Sequence, residues 1–203
     1  MIPKKITTYV EPFIGGGAVL FNLQPQKAII NDLNEELINT YKVVKESPRE
    51  LLELLKIHDK NNCKGYFYEI RALDRTNNFE NMTNIEKAAR VIYLNKTCFN
   101  GLYRVNKAGL FNSPYGKYKK PNSFRNYTKT SFNEKEQIEL KKECDKLDNK
   151  GIKFMLSNSD HPLIRELYKN FDIRIVKAKR SINSKGNSRG KINEILVKNY
   201  DIL

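Results

Sequence analysis

Short apolar runs bounded by turn residues alternate along this chain with longer segments in which apolar residues recur every three or four positions. The runs TTYV, KAII, IKFMLSN and IRIVKA have the length and composition of strands. The helical periodicity predicts helices over AVLFNL, NEELINTYKVVKE, RELLELLKIH, IEKAARVIYL and PLIRELYKN, with a further helix from Asn133 through Leu147. This alternation of strands and helices favours an α/β fold with mainly parallel strands.

Helix start signals support several of these elements. Thr83 is followed three residues later by Glu86, which is the capping-box pattern at the start of IEKAARVIYL. Asn133 and Glu136 have the same spacing, and Pro48 is suited to the first position of a helix. These signals fix where three of the predicted helices begin.

The length and the cysteine spacing exclude several classes of protein. The 203 residues suffice for one sizeable domain, or for one domain with a smaller appendage. No apolar run is long enough to span a bilayer and the start MIPKKITTYV has no signal-peptide core, so we expect a cytoplasmic protein without membrane contact. Cys63, Cys98 and Cys144 are far apart and form no CxxC pair, which supports neither a disulfide framework nor a metal site.

The formal net charge of +14 is concentrated in two stretches of the chain. Residues 96–130 contain eight basic and no acidic side chains, and residues 171–203 contain eight basic and three acidic ones. The first stretch also carries seven aromatic residues, Phe99, Tyr103, Phe111, Tyr115, Tyr118, Phe124 and Tyr127. Basic and aromatic side chains together suit contact with phosphates and bases, so we expect a nucleic-acid partner; a solvated basic loop is the alternative.

A glycine-rich turn follows the first predicted strand. In EPFIGGG the glycines allow a tight turn and close approach of the backbone to a ligand. The spacing is neither GxGxxG nor a phosphate-binding P-loop. Asp32 ends the next strand, where a carboxylate can accept hydrogen bonds from ribose hydroxyls, so a nucleoside ligand fits. Asp32 with Glu35 also fits an ordinary capping box, and the spacing leaves both interpretations open.

Longer stretches of the sequence resemble one family. TYVEPFIGGGAVLF and INDLNEELINTY resemble the first two cofactor motifs of the Dam-type (D12 class) adenine-specific DNA N6-methyltransferases, and LNKTCFNGLYRVNKAGLFNSPYGKYKKP resembles their DNA-reading hairpin. FMLSNSD, AKRSI and INEILVKNY resemble their later strands. The resemblance covers most of residues 8–200, and FNGLYRVN is its most specific part.

The resemblance implies a fold and a cofactor. It implies an incomplete Rossmann-like methyltransferase sheet formed by residues 1–40 and 123–203, with an inserted helical and β-hairpin target-recognition domain over residues 41–122. The implied cofactor is S-adenosylmethionine, with Asp32 on its ribose. The implied cofactor-binding residues are Glu11, Pro12, Phe13, Gly15, Gly17 and Asp32.

The resemblance also implies a double-stranded DNA partner and a short palindromic target, typically GATC. Arg104 has the planar fork that can contact guanine O6 and N7 together. Leu102 and Pro114 match positions that touch base edges. Phe99 and Asn100 match residues that enter the base stack when adenine flips. The alternative interpretation is that Phe99 is a core aromatic residue and Asn100 a turn asparagine. The implied DNA-binding residues are Phe99, Asn100, Leu102, Arg104, Asn106 and Pro114, with Lys117, Lys119 and Lys120 on phosphates.

The tetrapeptide from Asn112 to Tyr115 looks like the family's Asp-Pro-Pro-Tyr catalytic loop but lies inside the hairpin, so we assign it no catalytic role. The chain contains no Asp-Pro, Asn-Pro or Pro-Pro step, and therefore no catalytic residue is expected. In the family, a helix, a strand and the catalytic loop follow the hairpin. In this chain they are absent, and the end of the hairpin at Pro121 leads almost directly into the next family segment at Ser123. The family's opening Lys-Trp-Ala-Gly-Gly-Lys segment is also missing.

These departures indicate a degenerate or internally deleted methyltransferase. Loss of a central strand should expose apolar surface on its neighbours unless the strands pair again or another chain supplies the missing segments. A non-catalytic, sequence-specific DNA-binding module is the first alternative. An RNA methyltransferase is a weaker one, because Arg104 matches a major-groove reader and the major groove of RNA is narrow.

Overall fold

The computed structural model describes residues 2–3, 5–116, 133–179 and 191–201. It divides into two compact units, one formed by Lys4–Thr130 and the other by Met1–Pro3 with Ser131–Leu203. The predicted phosphate contacts Lys117, Lys119 and Lys120 lie outside the described residues.

The first unit begins with two short parallel strands, β1 (Tyr9–Glu11) and β2 (Ala28–Ile30), connected through helix α1 (Ala18–Leu23). Both strands and the helix were predicted from the sequence, and the structure confirms them. Their order places the glycine turn directly after the end of β1, and Asp32 directly after the end of β2.

Five further helices follow among the described residues of this unit: α2 (Glu35–Glu46), α3 (Pro48–Lys60), α4 (Lys64–Ala72), α5 (Asn78–Asn81) and α6 (Asn84–Thr97). The structure confirms α2, α3 and α6, with Pro48 at the start of α3 and the complete capping box of Thr83 and Glu86 at the start of α6. Helices α4 and α5 were missed. The sequence of α4 contains Gly65, and its cap is the thiol of Cys63, which is not a usual capping group.

Helix α6 is the centre of the first unit. Its side chains form one buried cluster with α4 and the following segment, made of Phe67, Val91, Tyr93, Leu94, Cys98, Tyr103 and Phe111. Other residues of the same helix form a second cluster with α2 and α3, made of Val43, Leu51, Ala88 and Ala89. Because α6 is buried on two sides, it fixes the segment that follows it against the helices that precede it.

The segment after α6 folds back on itself. A 3₁₀ turn at Phe99–Gly101 follows the helix, and antiparallel bridges join Cys98 to Tyr115 and Val105 to Phe111. We refer to residues 98–116 as the hairpin. Gly116 is the last residue of the hairpin. Its backbone passes so close to Cys98 that a Cβ at this position would lie 2.7 Å from the Cys98 carbonyl oxygen. A hairpin was implied by the family resemblance at this place.

The two-stranded sheet leaves apolar side chains in solvent. Val10 on β1 and Ile29 on β2 are cross-strand partners, and they are 57% and 56% exposed. Side chains at paired positions lie on the same face of a sheet, so this face is open.

The second unit contains α7 (Glu134–Asn149), β3 (Met155–Ser159), α8 (Pro162–Leu167), β4 (Asp172–Lys179) and β5 (Lys191–Lys198). The capping box of Asn133 and Glu136 is present at the start of α7. The strands form an antiparallel sheet in the order β3-β5-β4, so the expectation of mainly parallel strands is wrong here. Only residues 180–190 separate β4 from β5, and a parallel pair needs a longer crossover, usually with a helix.

The sheet of the second unit packs around Cys144, Ile164, Tyr168, Ile195 and Val197. Lys198 is buried as well, and its ammonium group pairs with Asp172 at 2.6 Å. Cys63, Cys98 and Cys144 are free thiols. Among the described residues, none of the helices is long and apolar enough to cross a membrane.

Candidate cofactor turn and nucleic-acid interface

The glycine turn is tied to both parallel strands by backbone hydrogen bonds. The Asn31 amide donates to the Glu11 carbonyl, and the Ile14 amide donates to the Asn31 carbonyl, both at 2.9 Å. Gly15 and Gly17 have φ angles of +48° and +68°, a conformation that favours glycine. The turn is therefore held rigidly at the ends of β1 and β2.

The two glycines face different surroundings. A Cβ on Gly17 would lie 2.6 Å from the Tyr41 hydroxyl oxygen and 2.8 Å from the Phe21 ring, so this glycine permits close packing within the protein. A Cβ on Gly15 would meet no atom within 4 Å. The backbone at Gly15 therefore borders open space into which a ligand can approach.

Asp32 connects the turn to the start of α2. Its Oδ2 atom accepts the Gly15 amide hydrogen at 2.9 Å, and its Oδ1 atom accepts the Asn34 amide hydrogen at 3.0 Å. Asn34, and not Asp32, caps α2, by accepting from the Leu37 amide at 3.2 Å. The capping alternative for Asp32 and Glu35 is therefore wrong. Each oxygen of a carboxylate has a second acceptor site, so Asp32 can still accept hydrogen bonds from a ligand.

The side chains of Glu11 and Asp32 place negative charge around the turn. Burial raises the pKa of Glu11, although its carboxylate also accepts a hydrogen bond from the Tyr9 hydroxyl at 2.8 Å. Burial, followed by the charges of Glu11 and Asp32, raises the pKa of Tyr41 to about 12, so its hydroxyl stays protonated and donates to the Gly15 carbonyl at 3.0 Å. Such surroundings suit a ligand that carries positive charge.

The remaining predicted cofactor residues lie at the edge of this arrangement. Pro12 and Phe13 follow β1 directly and are both exposed. The structure thus brings Glu11, Gly15, Gly17 and Asp32 together, with Pro12 and Phe13 beside them.

In the hairpin, Arg104 and Asn112 lie opposite each other. Arg104 Nε donates to Asn112 Oδ1 at 2.7 Å, and Arg104 Nη2 donates to the Asn112 carbonyl at 3.3 Å. The Asn112 amide returns a hydrogen bond to the Arg104 carbonyl at 2.8 Å. The Arg104 side chain is exposed, so its guanidinium is oriented by the protein and accessible from outside.

The other residues of the tetrapeptide from Asn112 to Tyr115 are also occupied within the hairpin. The buried Ser113 hydroxyl donates to the Leu102 carbonyl, and the Pro114 carbonyl accepts from the Phe99 amide at 2.8 Å. The Tyr115 ring packs against Phe67 with centroids 5.2 Å apart. These contacts support the interpretation of this tetrapeptide as part of the hairpin.

Asn106 forms the turn of the hairpin. Its Oδ1 atom accepts from the Ala108 and Leu110 amides, both at 3.0 Å. Its backbone amide donates to the Leu110 carbonyl at 2.9 Å. Asn106 therefore has a clear structural function, and the DNA contact predicted for it stays a prediction.

Phe99 and Asn100 occupy the 3₁₀ turn at the other end of the hairpin. Phe99 is 47% exposed, and Asn100 has a φ of +58° in the left-handed region. Leu102 is half-buried and Pro114 is exposed. The Phe99 amide donates to the Pro114 carbonyl, so the predicted wedge position and one predicted base-edge position lie next to each other.

A buried charge network beneath the hairpin was missed in the sequence. Arg90 on α6 is 1% exposed and lies 3.3 Å from Glu36 Oε1 and 2.8 Å from Asp74 Oδ2. The signal was present, because Arg90 interrupts the apolar stretch AARVIYL on a helix that is buried on two sides. A charged residue at such a position needs partners, and charged side chains are rarely buried without them.

Several known proteins are similar in sequence to this chain. The family model described as "D12 class N6 adenine-specific DNA methyltransferase" matches residues 1–126 and 122–182. The Type II methyltransferase M1.LlaDCHI of Lactococcus lactis subsp. cremoris is 38% identical, with 98% of this chain and 89% of the relative covered. The Type II methyltransferase M.MjaIII of Methanocaldococcus jannaschii is 38% identical over 96% of this chain and 89% of the relative. The DNA adenine methylase of Escherichia coli strain K12 is 28% identical over 92% of this chain and 84% of the relative.

The alignments also show a difference in length. The match to the Lactococcus protein extends over 252 positions, more than the 203 residues of this chain, so the relative has residues within the matched region that this chain lacks. The family model matches in two segments that meet at residues 122–126, beside the junction of Pro121 and Ser123. The match covers most of the chain on both sides of that junction, and the chain belongs to the D12 class of N6 adenine-specific DNA methyltransferases.

Proposed function

We propose that this chain keeps the cofactor turn and the DNA-reading hairpin of a site-specific DNA adenine N6-methyltransferase, but does not transfer a methyl group by itself. The observation that carries the DNA-binding part is the exposed Arg104 guanidinium held by Asn112 Oδ1 at 2.7 Å. The target is a GATC-like site in double-stranded DNA.

The hairpin supplies both kinds of contact that such binding needs. A guanidinium oriented through Nε can present its remaining N–H groups to guanine O6 and N7, which is the commonest specific contact in the major groove. Residues 96–130 around it carry eight basic and no acidic side chains, which suits contact with phosphates. Lys117, Lys119 and Lys120 belong to this stretch and serve as phosphate contacts in the proposal.

The residues of the glycine turn fit S-adenosylmethionine. Asp32 has acceptor capacity for ribose hydroxyls, and Gly15 borders open space beside it. Glu11 supplies a carboxylate near the same turn, and the methionine end of the cofactor carries a cationic amine. When bound, the cofactor would supply the methyl group to be transferred.

The catalytic groups that this chain lacks are those that hold the substrate adenine. Transfer needs two acceptors for the hydrogens of its amino group and an aromatic ring stacked on the flipped base. The chain has no Asp-Pro, Asn-Pro or Pro-Pro step, and the tetrapeptide from Asn112 to Tyr115 is engaged within the hairpin. Positioning can supply about 7–11 kcal/mol of a barrier, so losing half of it slows turnover by several orders of magnitude.

A methyl-transfer assay with the purified chain as the only protein tests this proposal. Labelled S-adenosylmethionine and a GATC-containing duplex are the substrates, and we expect no incorporation above the protein-free control. Binding of the same duplex is measured in parallel. Robust incorporation that is abolished by Asp32→Ala would show that other residues replace the missing loop.

A sequence-specific DNA-binding module without chemistry is the second candidate, favoured by the residues that the longer relatives have and this chain lacks. Specific binding without S-adenosylmethionine would favour it. If cofactor binding strengthens DNA binding instead, the chain has kept the cofactor function of its family. Tighter binding to duplex RNA than to duplex DNA would favour the alternative that this chain is an RNA methyltransferase.

A second chain can supply the missing segments in this proposal. A missing strand would pair at the edge of the two-stranded sheet, and a helix of that chain would cover the open face formed by Val10 and Ile29. The reading frames next to the gene show whether a polypeptide with an Asp-Pro-Pro-Tyr loop is encoded nearby. Mixing that polypeptide with this chain should restore methyl transfer, and failure to do so would argue for the binding module.

A further inference from the structure

Two carboxylates hold the two sides of the hairpin at the level of Arg104. Tyr103 precedes Arg104 and donates its hydroxyl hydrogen to Glu36 Oε2. On the opposite side, the Phe111 amide, one residue before Asn112, donates to Asp74 Oδ2 at 2.8 Å. The residues next to Arg104 and Asn112 are therefore each tied to a carboxylate outside the hairpin.

Arg90 joins these two carboxylates. Its guanidinium pairs with Glu36 and Asp74, and it also donates to the carbonyls of Ile70 and Arg71, both at 3.0 Å. A buried guanidinium is costly unless its hydrogen bonds are satisfied, and its planar fork tolerates little change in geometry. The positions of the two carboxylates are thus fixed relative to each other.

Further contacts strengthen both sides of this arrangement. Arg75 pairs with Asp74 and donates to the Phe111 carbonyl at 2.6 Å. Burial, followed by the charge of Glu36, raises the pKa of Tyr103, which keeps its hydroxyl protonated as a donor. The Tyr103 and Phe111 rings meet edge to face with centroids 5.2 Å apart. The Tyr103 side therefore has a polar attachment to Glu36, the Phe111 side has attachments to both Asp74 and Arg75, and the two rings pack against each other.

The same network reaches the cofactor turn. Glu36 lies in the first turn of α2, whose cap Asn34 is held by Asp32, and Asp32 binds Gly15. A continuous series of hydrogen bonds and one helix turn thus connects the glycine turn to the base of the hairpin. None of these residues needs to touch DNA in order to influence how the hairpin meets it.

We propose that Glu36, Arg90 and Asp74 are positioning residues that determine DNA sequence specificity, because they fix the two hairpin segments that carry Arg104 and Asn112. The inference rests on the proposed function, since it assumes that the hairpin reads duplex DNA. A bidentate contact to guanine requires the guanidinium plane to be aligned with the base edge. Loss of one attachment lets the hairpin shift, which costs the specific contact while the phosphate contacts adapt.

Two matched tyrosine variants test the proposal. Tyr103→Phe removes the hydroxyl that binds Glu36, and Tyr93→Phe removes a hydroxyl that donates to Asn62 Oδ1 at 3.0 Å. Both tyrosines are buried in the same cluster, so both variants lose one hydrogen bond in similar surroundings. The unmutated chain is first used to select its preferred duplex from a pool with randomised central base pairs.

The measured quantity is the affinity for the selected duplex divided by the affinity for a duplex with one guanine replaced. We expect Tyr103→Phe to lower this ratio about fivefold, the effect of roughly one hydrogen bond, with unchanged affinity for non-specific duplex. Tyr93→Phe should leave the ratio unchanged. Glu36→Gln, which keeps an acceptor for Tyr103 but loses the charge facing Arg90, should lower the ratio as well.

The outcomes separate this inference from the proposed function. If the unmutated chain selects no sequence, the reading function of the hairpin and the inference are both wrong. If it selects a sequence and Tyr103→Phe and Glu36→Gln both keep the ratio, only the inference is wrong. If the two tyrosine variants lower the ratio equally, the loss reflects general packing, which also overturns the inference. Thermal unfolding of each variant shows that the compared proteins are folded.

Discussion

Asn112 Oδ1 accepts the Nε hydrogen of Arg104 at 2.7 Å across the hairpin. The first residue of a tetrapeptide that looks catalytic therefore serves to orient an exposed arginine. An Asn112→Ala variant should weaken discrimination at the guanine read by Arg104, because the guanidinium loses its orienting acceptor. Binding of matched and guanine-substituted duplexes measures this effect. Unchanged discrimination would show that Arg104 is oriented by DNA alone.

Arg104→Lys keeps the charge but removes the planar fork. We expect discrimination at one guanine to fall by about 1–3 kcal/mol, with nearly unchanged affinity for non-specific duplex. Competition binding at fixed salt gives both quantities. Lys107→Gln is the control, because it removes a charge from the same hairpin without touching the Arg104 and Asn112 contact. If the parent protein binds matched and substituted sites equally, the assignment of Arg104 is wrong.

Binding to duplex DNA should depend strongly on salt, because basic side chains displace condensed counterions from the phosphates. Each phosphate contact contributes about −0.9 to the slope of log affinity against log salt. Lys117→Gln should reduce the slope by about one, whereas Lys56→Gln, whose amine pairs with Glu53 on α3, should not change it. Affinity that barely varies between low and physiological salt would contradict DNA binding by the basic stretch.

Asp74→Ala should destabilise the protein by about 3–5 kcal/mol, because it leaves the buried Arg90 without one of its two carboxylates. Glu166→Ala removes a partner of an exposed pair with Lys169 and should cost less than about 1 kcal/mol. Denaturant unfolding of the two variants gives both values. Similar small losses in both would mean that solvent reaches Arg90 easily.

Glu11 should make stability depend on pH. Its pKa in the folded chain is raised above the ordinary value, chiefly by burial, so folding favours the protonated form. The associated stabilisation is present below the ordinary pKa of 4.5 and is lost as the pH rises through the raised folded value. Glu11→Gln should therefore be more stable than the parent at neutral pH, and the difference should disappear in acid. Unfolding followed from pH 4 to pH 7 tests this, and a parent more stable than Glu11→Gln at neutral pH would contradict it.

Local signals in the sequence determined much of the secondary structure. Thr83 with Glu86 and Asn133 with Glu136 form the predicted capping boxes, because capping depends on side chains only three residues apart. The glycine turn between β1 and α1 was also recognisable, since a positive φ strongly favours glycine. The motifs around Arg104 indicated the family, which the comparisons confirm.

Tertiary structure decided what depends on residues far apart in the chain. The sequence left Asp32 open between a cap and a ligand contact, and its bond to the Gly15 amide shows that it supports the turn while Asn34 caps the helix. The predicted parallel strand direction was wrong in the second sheet, because periodicity shows which residues form a strand but not which strand lies beside it. The pairing of Arg90 with Glu36 and Asp74 joins residues from three separate segments, so only the folded chain could show that a buried charge network supports the hairpin.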